Sequence, residues 1–143
     1  MIEVENFTKK FTDDTVSNVI KIKRNFFKVS DELQKVRQQI KQEPFAIGTY
    51  LGSGKPFHPS VALLDWLGER TKRYVVIDRK SEWLFLCDRD VFAKSIIEKN
   101  ADDGLAIIKN TQGEVLGLGK FTGRRVAIKN IIDKGDFLRR ERH

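Results

Sequence analysis

Two histidines, one cysteine and two glycine-rich stretches are the places where covalent chemistry could reside in these 143 residues, and none has the spacing that chemistry needs. His58 sits between Phe57 and Pro59, remote in sequence from His143, and reads as a loop packing residue. Cys87 closes the apolar run WLFLC, where burial would raise the thiol pKa and leave it inert, so a core thiol is expected rather than a nucleophile. GTYLGSGKP, from Gly48 to Pro56, imitates a phosphate-binding loop. However, Thr49 occupies the place of the first glycine and Pro56 that of the magnesium-binding hydroxyl, so it reads as a turn. Gly117, Gly119 and Gly123 miss the dinucleotide pattern, since three residues precede the last glycine and a strand follows it. No ligand cluster suits a metal. The expectation is a protein with no catalytic residue, no metal and no cofactor.

Charge gives a sharper signal. Residues 120–143 read KFTGRRVAIKNIIDKGDFLRRERH, with eight Lys and Arg against three Asp and Glu, a net +5. Residues 72–119 balance at eight against eight, and residues 1–71 carry only +2. A basic cluster confined to one segment is the footprint of a polyanionic partner, with nucleic acid first among candidates. The candidate ligand-binding side chains are Lys120, Arg124, Arg125, Lys129, Lys134, Arg139 and Arg140. If the strands on either side of Gly123 pair, these groups are expected to converge on one patch from three elements.

The chain is long enough, at 40% hydrophobic residues, for one sizeable core or two small ones. A lone cysteine suggests a reducing compartment, and Glu3 and Glu5 interrupt any signal-peptide pattern. No apolar run reaches the roughly 20 residues of a bilayer span. A soluble cytoplasmic protein without membrane contact is the expectation.

The positioning elements follow from local pattern. Lys21 to Val29 alternates as a strand would, and Ser30 caps a helix carrying Leu33, Val36 and Ile40 at helical spacing, with Pro44 beyond its end. Phe45 to Leu51 reads as a short strand, Gly52 to Pro59 as a loop, and Val61 to Leu67 as a helix or buried turn. The charged residues Thr71 to Arg73 mark the expected junction between domains 1–71 and 72–143. Beyond it, Tyr74 to Ile77 and Trp83 to Cys87 read as strands around a turn DRKSE, and Arg89 to Lys99 as a helix turning Val91, Phe92, Ser95 and Ile96 inward. Leu105 to Ile108 and Val115 to Phe121 form a hairpin through NTQGE, followed by a strand from Val126 to Ile132. Gly117 and Gly119 share one face, where a bend or a close backbone neighbour is expected. Asp133 is placed to cap a last helical turn, with Phe137 and Leu138 inward. Many short strands around few helices suggest an α+β chain with a small barrel.

RNFFKVSDELQKV, FAIGTYLGSGKPF and VALLDWL, followed by EWLFLCDRDVF, GEVLGLGK and DKGDFLRRE, occur in this order in a sequence that resembles an archaeal member of the Nip-seven ribosome-biogenesis factor family. The likeness runs over nearly the whole chain from about Lys21. The last three stretches alone resemble a PUA domain, the module named for pseudouridine synthases and archaeosine transglycosylases. The resemblance implies a small N-terminal α/β domain for protein contacts and a C-terminal PUA pseudo-barrel. It also implies a non-enzymatic role in large-subunit maturation and pre-rRNA processing. Implied partners are pre-rRNA or other single-stranded, uridine-rich RNA, the pre-ribosomal particle, the exosome and the homologue of the Shwachman-syndrome protein. The family's RNA face falls here on Arg124, Arg125, Lys129 and Lys134. Asp88 stands where the family commonly has glycine. The alternative is an RNA-targeting subunit or small enzyme of tRNA or rRNA modification, which would need a catalytic carboxylate or thiol in a cleft of the first domain.

Overall fold

A computed structural model describes residues 2–41, 44 and 47–136. The chain divides into two compact units, Met1–Trp66 and Leu67–His143. In the first unit, α1 (Ile2–Thr8) is followed by the antiparallel strands β1 (Val19–Ile22) and β2 (Asn25–Lys28), so the expected single strand is a hairpin turning at Lys23 and Arg24. Lys23 adopts φ +56°, the left-handed conformation that a tight turn uses. Helix α2 (Asp31–Gln39) begins where expected, with Ser30 Oγ accepting a hydrogen bond from Leu33 N at 3.2 Å. None of its residues is buried.

Strands β3 (Thr49–Ser53) and β4 (His58–Pro59) complete a meander in the order β1-β2-β3-β4, and Gly48 to Pro56 is thereby a strand running into a turn. Gly52 is obligatory there, because a Cβ would collide with the His58 carbonyl and the Phe57 ring. Phe7, Phe11, Phe26 and Phe57 form a chain of tilted and edge-on rings 5.3–5.8 Å apart, and Ile20, Ile22, Phe27 and Val29 form a second buried cluster. Helix α3 (Val61–Gly68) is capped by Ser60, whose Oγ accepts from Leu63 N at 3.1 Å.

The second unit departs from expectation between Asp78 and Asn100. Trp83 to Cys87 is not a strand but the end of α4 (Arg79–Leu86), which follows β5 (Tyr74–Ile77). Asp78 caps this helix, its Oδ1 accepting from Ser81 N at 2.8 Å. Ser81 and Phe85, four apart, are the buried pair, whereas a strand would have buried alternate residues. Cys87 is consequently an exposed C-cap and not a core thiol. Asp88 follows at φ +69°, with its N–H bonded to Phe85 O, which is the left-handed helix ending that glycine usually supplies.

Arg89 to Lys99 is not a helix. It comprises β6 (Val91–Phe92), a 3₁₀ turn (Ala93–Ser95) and β7 (Ile96–Asn100), in which Val91 and Ser95 are buried while Phe92 points outward. Pairing of Val91 with Ile128 and of Ile96 with Ile77 overrides the helical spacing. Strands β8 (Gly104–Lys109), β9 (Val115–Phe121) and β10 (Val126–Asp133) form where the sequence places them, and the six strands run β6-β10-β9-β8-β5-β7. Among the described residues only β5 and β8 pair in parallel. At Gly117 a Cβ would fall on the Ile132 carbonyl, and at Gly119 it would lie 2.6 Å from Ile128 Cγ2. Both glycines therefore permit the close β9–β10 approach that curls the sheet, beside a bulge between Asn130 and Ile132. Val75, Ile77, Phe85, Ile108, Leu116, Phe121 and Ile128 are among the side chains filling the interior. Asp133 Oδ1 accepts from Asp136 N at 2.8 Å, the expected cap. Phe137, Leu138, Arg139, Arg140 and Arg142 lie outside the described residues. Among the described residues no helix is long and apolar enough to cross a membrane.

Candidate functional site

The connection between β9 and β10 carries the most concentrated exposed positive charge of the described second unit. Arg124 and Arg125 stand in the turn, and Lys120 and Lys129 face each other across the strands as a directly paired couple. Phe121 and Ile128, the neighbouring pair, are buried. Strand alternation therefore places both lysines on the outer face. Like charges directly opposite one another are unfavourable in a sheet, and an anion between them would relieve that.

The turn is braced from within. Thr122 N donates to Ala127 O at 2.7 Å and Thr122 Oγ1 donates to Val126 O at 3.1 Å, while Arg124 N donates to Thr122 Oγ1 at 3.4 Å. Ala93 N donates to Arg125 O at 2.9 Å and ties the turn to the 3₁₀ segment. Among the described residues neither guanidinium is held in an ion pair. A braced backbone spares the turn its own ordering cost when a ligand arrives, which favours binding.

Two clefts flank this turn. One, of about 320 Å³, is lined by Phe92, Ala93, Lys94 and Arg125. The other, of about 340 Å³, includes Ile97, Glu98, Lys99, Phe121, Thr122 and Arg124. Lys99 Nζ stands 4.9 Å from the centre of the Phe121 ring. Glu98 Oε1 accepts a hydrogen bond from Tyr74 OH at 3.2 Å, and that bond, with the added carboxylate charge, raises the phenol above its ordinary pKa. Lys109 Nζ stands over the Tyr74 ring, 4.9 Å from its centre.

Of the residues expected to bind a polyanion, Arg124 and Arg125 stand at the start of β10, and Lys129, paired with Lys120, lies midway along it. Lys134 lies past the other end, nine residues from Arg125 or roughly 30 Å along an extended strand. The described groups are therefore strung along β10 and not gathered in one compact patch. Arg139 and Arg140 lie outside the described residues. Phe92, Lys94 and Lys99 join the site without having been expected there, since the inward-facing helix assigned to Arg89–Lys99 hid them. The available signal was the β-branched pair Ile96-Ile97, which favours a strand. Among the described residues no three His, Cys, Asp or Glu side chains are grouped to hold a metal ion. His58 is exposed on β4.

Comparison with known proteins bears on the same unit. Residues 73–142 match the family model described as the UPF0113 PUA domain. A "UPF0113 protein" of Archaeoglobus fulgidus is 26% identical over 112 residues, covering 69% of this chain and 64% of that protein, so the chain spans less than two thirds of that relative's length. A solved "Conserved PUA Domain Protein from Thermoplasma acidophilum" superposes with a TM-score of 0.60 at 19% identity, over 95% of this chain and 89% of that one. That likeness is one of fold. The architecture is α+β, with a curled sheet of the PUA type in the second unit.

Proposed function

We propose that this protein binds single-stranded RNA through the β9–β10 turn and the outer face of β10, and serves without catalysis as an assembly factor for the large ribosomal subunit. The observation that carries the RNA reading is the braced turn presenting Arg124 and Arg125 beside the cross-strand pair Lys120–Lys129. The PUA-type sheet supports it, since modules of this kind hold RNA by positioning phosphates with basic groups. An extended row of cations suits a single strand, whose phosphates are spaced along a flexible backbone. The ribosomal role, the preference for uridine-rich pre-rRNA and the exosome and Shwachman-syndrome partners come from the resemblance to the Nip-seven family. The first unit is proposed to carry the protein contacts, and the exposed apolar side chains Leu33 and Val36 of α2 and Ile40 at its C-cap support this.

The deciding experiment is RNA affinity across several salt concentrations for the full chain and for a variant with Arg124, Arg125, Lys129 and Lys134 changed to alanine. Phosphate contacts release counterions, so the variant should bind far more weakly and its salt slope should fall by roughly 2 to 3. The fold should persist, because exposed charges contribute little to stability. A folded variant with unchanged affinity and slope would refute the reading. A newly modified nucleoside after incubation with pre-rRNA or tRNA would instead favour the modification enzyme.

A further inference from the structure

We propose that the cleft lined by Phe92, Ala93, Lys94 and Arg125 is a single-nucleotide pocket, in which an unpaired RNA base stacks on the Phe92 ring while Lys94 and Arg125 neutralise the adjoining phosphates. The proposal rests on the RNA-binding reading of the β9–β10 turn and adds to it a base contact. Phe92 is 47% exposed on a two-residue strand whose other member, Val91, is 2% exposed and anchors the backbone. Alternation thus holds the ring outward by construction. Its cross-strand partner Val126 is exposed at 44%, so the ring stands on an apolar outer surface.

The lining selects the ligand class. Among the described residues it offers one aromatic face, two cations and no carboxylate, unlike the neighbouring cleft, which contains Glu98. An inorganic anion would satisfy the cations and leave the ring exposed. An apolar protein side chain would cover the ring and desolvate two charges without partners. A nucleotide carries both the π face and the negative charge. At about 320 Å³ the cleft lies at the lower limit of ligand pockets, roughly 300–1,000 Å³, which suits one such unit. Stacking tolerates any base, because every base has a π face, so this pocket grips the strand without reading its sequence.

The test uses the full chain with an oligouridine of about 10 nucleotides and an abasic ribose-phosphate oligomer of equal length. Phe92→Ala should weaken oligouridine binding by roughly 5- to 150-fold with an unchanged salt slope. Phe92→Leu, which keeps apolar bulk without a π face, should lose comparable affinity, and Phe92→Trp should restore it. On the abasic oligomer, wild type and Phe92→Ala should bind equally. Lys94→Ala should lower the salt slope by roughly 0.7. Should Phe92→Ala fail to fold, the leucine and tryptophan variants carry the comparison. Wild-type affinity in a folded Phe92→Leu variant would overturn the pocket and mark the ring as a protein contact. If the four-alanine variant weakened binding while the Phe92 variants did not, the pocket would fail and the turn reading would stand. If wild type bound neither oligomer, both would fall.

Discussion

The first unit builds its interior from touching aromatic rings and leaves a whole helix outside it, whereas the second packs aliphatic side chains on a curled six-stranded sheet and places its cations at a turn. The two arrangements suit different ligands. Leu33 and Val36 of α2, with Ile40 at its C-cap, present exposed apolar side chains that bulk RNA phosphates would avoid. Arg124 and Arg125, held at their backbone where Arg124 N donates to Thr122 Oγ1 and Ala93 N donates to Arg125 O, present charge on a turn that needs no further ordering. Net charge follows the same split, +2 over residues 1–66 and +5 over residues 67–143. The difference teaches that an RNA site here depends on the integrity of the β9–β10 pairing and not on the aromatic core.

Two core substitutions would break that comparison if it is wrong. Phe26, 1% exposed and in edge contact with Phe57, should cost about 3–5 kcal/mol when changed to alanine. RNA affinity measured at a temperature where Phe26→Ala is still folded should match wild type. Gly117→Ala forces a Cβ onto the Ile132 carbonyl, costs about 1–3 kcal/mol by overpacking, and should weaken RNA binding by disturbing β9 against β10. Reversed affinities in these two variants would assign the RNA site to the first unit.

Those same strands were the most legible part of the sequence. The alternation of Val115 to Phe121, the turn NTQGE and the paired glycines specify a hairpin locally, and Asn110 consolidates its turn with Oδ1 accepting from Gln112 N and Glu114 N. Asp78 to Asn100 was illegible for the opposite reason. WLFLC has no period that separates a buried strand from a helix, and the deciding facts were the Asp78 cap and the left-handed Asp88. In the stretch after it, Val91, Phe92, Ser95 and Ile96 share helical spacing, but partners distant in sequence, Ile128 and Ile77, claim Val91 and Ile96 for strands. The candidate site was half visible as a result. Its cations belonged to the legible hairpin, and its aromatic and Lys94 belonged to the segment fixed by tertiary pairing.

The exposed apolar side chains of α2 sharpen the comparison at a smaller scale. Val36 is 49% exposed and no residue of α2 is buried, so Val36→Ser should change unfolding free energy by no more than about 0.5 kcal/mol. Denaturant titration measures this directly. A loss near 2 kcal/mol would mean that α2 belongs to the core of the first unit and is no surface for partners.

The smallest effect concerns charge that the second unit already uses internally. Tyr74 OH donates to Glu98 Oε1 at 3.2 Å, and this bond, followed by the carboxylate's charge, raises the phenol above its ordinary value near 10. A raised folded-state pKa means that the folded protein holds the proton more tightly than the unfolded chain. The stabilisation is therefore fully present below pH ~10 and is lost as pH rises through the folded-state value. The chain has two tyrosines, so a Tyr50→Phe background isolates Tyr74 in an ultraviolet titration of the phenolate. Glu98→Gln in that background should return the Tyr74 midpoint toward the ordinary value and leave salt-dependent RNA binding at Arg124 and Arg125 in place. An unmoved midpoint would show that Glu98 does not hold the phenol. A fall in the RNA salt slope would show that Glu98 is coupled to the cations of the turn, and the division between internally engaged and ligand-facing charge would have to be redrawn.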